Sequence, residues 1–232
     1  VAAPGRRLGV RRLPLRGRRL GPFFSCYLFR TGADYAGQWR GTARDGFGAQ
    51  RWPDGASYRG QWRGDAADGL GAMRHSNGNV FAGQWERSAA QGLGVYRNVV
   101  EGSAYAGEFR NDVQDGHGVE VFGESARYEG QFKSGKKHGL GVYTWADGAQ
   151  YWGAWCSDRM DGPGEYAGAD GRRSVGQWAA STLHGAGRTA WPDGRCYEGQ
   201  YVQDKREGFG RFQWPDGRCY EGFFLEGEQH GA

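Results

Sequence analysis

The sequence predicts an all-β fold: a single-layer, twisted antiparallel sheet of stacked 23-residue β-hairpins, an open solenoid-like ribbon with a groove. Three observations carry this. An aromatic-x-Gly-x-aromatic element recurs with its glycine at Gly37, Gly60, Gly83, Gly107, Gly130, Gly153, Gly176, Gly199 and Gly222, at intervals of 23 residues apart from one of 24. A Gly-x-Gly element keeps step with it, from Gly46/Gly48 to Gly208/Gly210. A fixed period of this length marks a repeat architecture. The composition agrees: 44 glycines and 15% aromatic residues leave little aliphatic filler for a thick core.

Taking the chain in order, residues 1–22 form an arginine-rich arm. Residues 1–33 contain eight arginines and no acid, which leaves 22 basic against 26 acidic residues in the remainder, a balance of −4. The basicity belongs to the arm, so the body is no broad anion-binding surface. The arm has the composition of an organelle transit peptide or of a disordered tail. Residues 23–34 follow as a degenerate half-repeat that caps the sheet, with Ser25 where a glycine is expected. Residues 35–232 are the array, eight complete units and a truncated ninth. The chain opens on Val1 and stops within a Gly-x-Gly, which suggests truncation at both ends.

Each unit reads as a hairpin. In "YRGQW", Tyr58, Gly60 and Trp62 alternate with polar residues and share one face of a strand. The glycine leaves a gap for aromatics from adjacent strands. The partner strand begins at the Gly-x-Gly, with Phe47 and Ala49 on the face opposite the glycines. "PDG" at Pro53–Gly55, Pro192–Gly194 and Pro215–Gly217 supplies a type I turn closed by a left-handed glycine. Asn77-Gly78, Asp147-Gly148 and Asp170-Gly171 retain the essential pair. The 24-residue interval is an insertion in the turn at "NVVEGSAY" (Asn98–Tyr105). Polar links such as "RGTARD" (Arg40–Asp45) join the hairpins. A lone hairpin is marginally stable, so aromatic ladders must lock each to the next. The expected rungs include Tyr58, Trp62, Phe81, Trp85, Tyr128, Phe132, Tyr151, Trp155, Tyr197 and Tyr220. Ser174 stands where the seventh unit should have a tyrosine.

The pattern "YxGxW…DGxGxxxWPDGxxYxGxW" resembles the MORN (membrane occupation and recognition nexus) repeat over residues 35–232. The resemblance implies grooved sheets of stacked hairpins. It also implies scaffolding roles, since similar proteins occur in ciliary radial spokes, parasite cytoskeletons and motor complexes. Other relatives imply a junctophilin-like tether to acidic phospholipid, or a module joined to a phosphatidylinositol-phosphate kinase or a SET-type methyltransferase.

No catalytic constellation emerges. His138, His184 and His230 recur 46 residues apart, two hairpins, or about 19 Å, too far to share a metal ion. Cys196 and Cys219 occupy one slot in neighbouring units, ~9–10 Å apart, beyond disulfide reach; no CxxC is present. The Gly-x-Gly elements lack a phosphate-loop context, and the aspartates belong to turns. No cofactor or metal is expected, and the chain reads as a non-enzyme.

Surfaces remain. Trp52, Trp145, Trp191 and Trp214 precede the turns along one edge and are candidate anchors for a protein partner, whether an extended segment, a helix or a second copy of the chain. Lys133, Lys136 and Lys137 are candidate contacts for lipid headgroups. Nucleic acid is not expected, because no aromatic platform interleaves with the arm's charges. The expected setting is cytoplasmic, at a membrane surface, the cytoskeleton or a cilium, or an organelle if the arm acts as a transit peptide.

Overall fold

The computed structural model describes residues 24–123 and 125–231; the arginine-rich arm lies outside them, as does the first residue of the expected cap. The fold is all-β, an open antiparallel sheet of nineteen strands, with no helix among the described residues. The chain divides into two compact units, one reaching to Val100 together with Phe109–Asp112, the other comprising Glu101–Glu108 and the residues from Val113.

The first unit holds β1 (Phe24–Leu28), β2 (Asp34–Arg40), β3 (Ala43–Arg51), β4 (Ser57–Arg63), β5 (Ala66–Arg74), β6 (Val80–Glu86) and β7 (Ala89–Asn98). Each pairs antiparallel with the next. Strand β8 (Ser103–Arg110) is divided between the units. The second unit continues with β9 (Val113–Phe122), β10 (Ala126–Lys133), β11 (Lys136–Thr144), β12 (Gln150–Cys156), β13 (Arg159–Ala167) and β14 (Arg173–Ala179). It ends with β15 (Thr182–Ala190), β16 (Cys196–Val202), β17 (Lys205–Gln213), β18 (Cys219–Leu225) and β19 (Glu228–His230). From β9 onward these again pair with their chain neighbours.

Two kinds of turn alternate. The Pro-Asp-Gly turns form as their sequence demands: Gly55 N donates to Trp52 O at 3.0 Å, Trp52 N to Ala56 O at 2.9 Å, and the Asp54 carboxylate accepts from Ala56 N at 3.0 Å. The other connections correct the sequence reading. The strand starts at Ala43, before the Gly-x-Gly, so the link is the pair Gly41-Thr42 and not the six residues Arg40–Asp45. In later copies both turn residues take positive φ, as at Arg87 (48°) and Ser88 (69°) or Asn111 (48°) and Asp112 (69°), the type I′ geometry that suits strand twist.

Arg87-Ser88 lacks the Asn-Gly signature of such a turn, so other contacts hold it. The second turn residue clamps the strand one hairpin back. Asp65 N donates to Arg44 O at 3.0 Å while its carboxylate accepts from Arg44 N at 2.9 Å. Asp112 grips Ala90 in the same way, Asp158 grips Lys137 and Asp204 grips Leu183. The acid before the Gly-x-Gly takes a further amide of the next turn: Asp115 accepts from Ser134 N at 3.1 Å and Asp161 from Ala180 N at 3.4 Å. This is the slot that His138 and His184 fill in their own units.

The glycines serve two distinct purposes. At Gly71 a Cβ would lie 2.2 Å from the Tyr58 hydroxyl. The tyrosine therefore lies flat over the glycines two residues along its own strand and on the adjacent one. The ring that fills the gap is the unit's own, and not one arriving from a neighbouring strand. Its hydroxyl donates to Gln61 O at 3.0 Å. Gly69 instead has φ +101° and sits under the Gln61 side chain, whose amide oxygen accepts from Leu70 N at 2.6 Å. Gln61 is the bulge residue that shifts the register between Gly60 and Trp62.

Candidate functional site

The rings of one face form a T-shaped ladder within each unit. In the first, Tyr58 lies 5.0 Å from Trp62 and 5.3 Å from Trp85, and Phe81 lies 5.0 Å from Trp85. In the second, Tyr128 contacts Phe132 and Trp155, and Tyr151 lies 5.4 Å from both Trp155 and Trp178. Near the end, Tyr197 contacts Tyr201 and Phe224, and Tyr220 contacts Phe224. Indole N–H groups tie successive hairpins, Trp62 donating to Gly48 O at 3.3 Å and Trp85 to Gly71 O at 3.0 Å. Burial of the phenols pushes the hydroxyls of Tyr35, Tyr58 and Tyr151 up to about 12, so each remains a proton donor to its carbonyl.

The ladder breaks once. Between Trp178 and Tyr201, where other units place a ring, Ser174 shares a hydrogen bond with Thr189 Oγ1 at 3.0 Å, and Tyr201 donates to the same atom at 2.7 Å. Leu183, buried, stands where Ala67 and Ala90 stand in the first unit. A Cβ on Gly176 or Gly187 would lie 3.1 or 3.3 Å from its methyl groups. Leu183, together with the Tyr201 ring 3.2 Å from the same point on Gly187, thus covers the glycine floor that the unit's own tyrosine covers elsewhere.

A groove of about 710 Å³ opens above this break, within the second unit. Trp145, Tyr166, Trp191 and Phe212 line it, with Ser174, Leu183 and Thr189 in its floor. Trp145 lies 4.7 Å from Tyr143 and 5.7 Å from Tyr166; Trp191 lies 6.0 Å from Phe212. Both indoles are only partly buried, so each keeps ring surface for a partner. Arg172, Arg195, Lys205 and Arg206 add positive charge to the lining.

Of the four candidate anchors the structure brings Trp145 and Trp191 into this groove. Trp52 packs on the Tyr35–Tyr58–Trp62 cluster of the first unit. Trp214 meets Phe212 edge-on at 4.7 Å, outside the groove lining. The near-identical phrases at Trp191 and Trp214 share a device absent at Trp52 and Trp145. Arg195 pairs with Asp193 at 2.7 Å and covers the Trp191 ring at 5.5 Å, and Arg218 does the same with Asp216 and Trp214. The three lysines are separated too. Lys133 and Lys136 are exposed. Lys137 turns inward over Phe122, Tyr128 and Tyr143, 5.1–5.6 Å from each ring. It has a largely buried side chain, 3.9 Å from Asp158. All four cysteines are free thiols, and no group of His, Cys, Asp and Glu among the described residues is arranged to hold a metal ion. No helix among the described residues is long and apolar enough to cross a membrane.

Sequence reasoning missed Tyr166 and Phe212, which line the groove beside the ladder, and Tyr143, which packs against Trp145. Their signal was present, an aromatic two residues after the Gly-x-Gly of their own units, a position that Gln50, Met73, Glu120 and Thr189 fill in others.

The family model of the MORN repeat matches the chain nine times, at residues 35–57, 58–80, 81–98, 105–126, 128–150, 153–172, 175–194, 197–217 and 220–232. No curated protein matches it. Among solved structures, the wild-type TCP10 domain of Danio rerio CPAP in complex with a peptide of Danio rerio STIL is similar at 13% identity and a TM-score of 0.48, over 85% of this chain and 82% of that one. A second structure of that domain aligns at 13% identity and a TM-score of 0.47, over 84% and 91%. Likeness at this level carries no argument about partners.

Proposed function

The chain belongs to the MORN-repeat family, and from that premise we propose that it is a non-catalytic scaffold whose ladder face binds an extended segment of a partner protein. The groove of the second unit carries this reading. Its walls are rigid rings held by the ladder, and rigid aromatic surface loses little entropy on binding. A groove of about 710 Å³ is within the size range of binding clefts. MORN-repeat proteins are generally non-catalytic, which agrees with a surface and not a reaction centre.

The test is a random-peptide display selection on the folded protein, with binders titrated against Trp145→Ala/Trp191→Ala and against Trp152→Ala on the opposite face. Loss of binding only in the first variant supports the proposal. Equal binding to both variants refutes it. Lys133 and Lys136 leave a lipid contact as the second reading. Vesicles of acidic phospholipid that bind wild type but not Lys133→Ala/Lys136→Ala at physiological salt would favour it instead.

A further inference from the structure

We infer that the face of the second unit opposite the ladder is a self-association surface, on which strands β14–β18 of a second copy of this chain pack with the strand order reversed, independently of what the ladder face binds.

Side chains alternate between the two faces along each strand: Tyr197 and Phe212 are buried in the ladder, and their chain neighbours Glu198 and Arg211 are exposed on the other side. At one level across β15 to β18 this face presents Arg188, Glu198, Arg211 and Glu221, successive cross-strand partners and all exposed. The row reads plus, minus, plus, minus. None of the four belongs to an ion pair among the described residues; Arg188 Nε donates to Cys196 Sγ at 3.2 Å. Reversed, the same row reads minus, plus, minus, plus. A two-fold axis parallel to the strands, between β16 and β17, therefore sets Glu198 against Arg211 of the other copy and Arg188 against Glu221, each contact made twice. The same level of the first unit reads Ala49, Arg59, Ala72 and Ala82 and offers no such match.

The adjacent level supports the same axis. Phe209 and Phe223 stand exposed there, edge to face at 5.7 Å. Ala186 leaves a dent at the position from which Leu70, Leu93 and Leu140 project in other units. The axis lays Phe223 over that dent in the other copy, and Phe209 over Gln200. A hollow of about 730 Å³ runs between the two levels, from Ala186 and Arg188 to Phe209 and Arg211, and gives the rings room. An occupant must repeat its charges at the ~4.8 Å spacing of neighbouring strands, which a second sheet does and a helix or a single extended segment does not. Five strands at that spacing, each at least seven residues long, cover roughly 24 by 24 Å. That is on the order of 600 Å² per copy and about 1,200 Å² in all, the lower limit of a specific interface.

Sedimentation equilibrium of the full chain, from about 1 to 500 μM, tests this. Wild type is expected to pass from 25.6 kDa to twice that mass. Glu198→Arg and Arg211→Glu each place like charges opposite one another across the axis, and each alone should raise the dimer Kd about ten-fold or more. An equimolar mixture of the two variants restores every opposite pair and should dimerise within a few-fold of wild type. Misfolding of either variant could not produce that recovery. A wild type that stays monomeric throughout, single variants that dimerise as well as wild type, or a mixture no better than its components would overturn the inference.

Discussion

Replacing Gly71 by alanine isolates the physical reason for the repeat. Gly71 lies within β5 at an ordinary strand conformation, where alanine should stabilise by about 0.5–1 kcal/mol through reduced chain entropy. The structure implies the opposite, because the new Cβ would lie 2.2 Å from the Tyr58 hydroxyl and 2.5 Å from Cζ. The ring must leave its place. It then forfeits two ring contacts, at 5.0 and 5.3 Å, each about 0.5–1.5 kcal/mol, and a hydrogen bond to Gln61 O of roughly 0.5–1.5 kcal/mol. After the entropic gain is subtracted, the net loss is on the order of 2–3 kcal/mol. Tyr58→Ala removes the obstacle, so Gly71→Ala in that background should be neutral or slightly stabilising. Gly55→Ala serves as a control: nothing lies within 4 Å of its Cβ, and only the strain of its φ of +89° applies, about 1–2 kcal/mol. Amide exchange across β4 and β5 reads the local opening free energy, which suits an array whose stability is a sum of neighbour terms. Wild-type protection in Gly71→Ala, or equal loss with and without Tyr58, would refute the argument.

Further expectations follow from the same geometry. Ser174→Tyr alone should destabilise the second unit by about 1–3 kcal/mol through overpacking against Leu183, and adding Leu183→Ala should recover most of the loss; denaturation of the three variants checks this. Asp204→Ala removes the carboxylate that accepts from Leu183 N. A loss of about 1–2 kcal/mol should appear as faster exchange at the Leu183 amide. The tyrosines give a pH dependence with a definite sign. Their folded pKa values, near 12 for Tyr35, Tyr58 and Tyr151, exceed the ordinary 10.0. The corresponding stability is present in full below pH 10 and is lost as pH rises towards 12. Ionisation of these three tyrosines should therefore accompany unfolding, and Tyr35, Tyr58 and Tyr151 ionising near 10 in a folded protein would contradict it.

The hairpin period, the Pro-Asp-Gly turns and the ladder positions were legible because each is written in local chemistry that repeats. Gly55 follows Pro53-Asp54, and Tyr58 and Trp62 flank Gly60, in a pattern no single copy needs to prove. The type I′ turns were not legible as a class, since copies such as Arg87-Ser88 carry no local preference for that geometry. Contacts to the strand one hairpin back impose it. The same limit hid the direction of Lys137, which reads as one of three surface lysines but is drawn in by Tyr128, Tyr143 and Asp158. Within the candidate site, Ser174 was visible as a missing rung. Its partner Leu183 was not, because the exchange of tyrosine for leucine as floor cover takes place between different strands. Of four candidate tryptophans, neighbours in space and not sequence position decided that Trp145 and Trp191 share a groove.

The most direct test of the scaffold reading uses the ten tryptophans as reporters, through their indole N–H resonances, while a display-selected peptide is titrated in. Trp145 and Trp191 line the ladder-face groove, whereas Trp152 is exposed on the other face, paired with Val142 and Glu165. The expected result is saturable shifts at Trp145, Trp178 and Trp191, with Trp152 unchanged. Shifts at Trp152 with Trp145 and Trp191 silent would place binding on the wrong face and contradict the account.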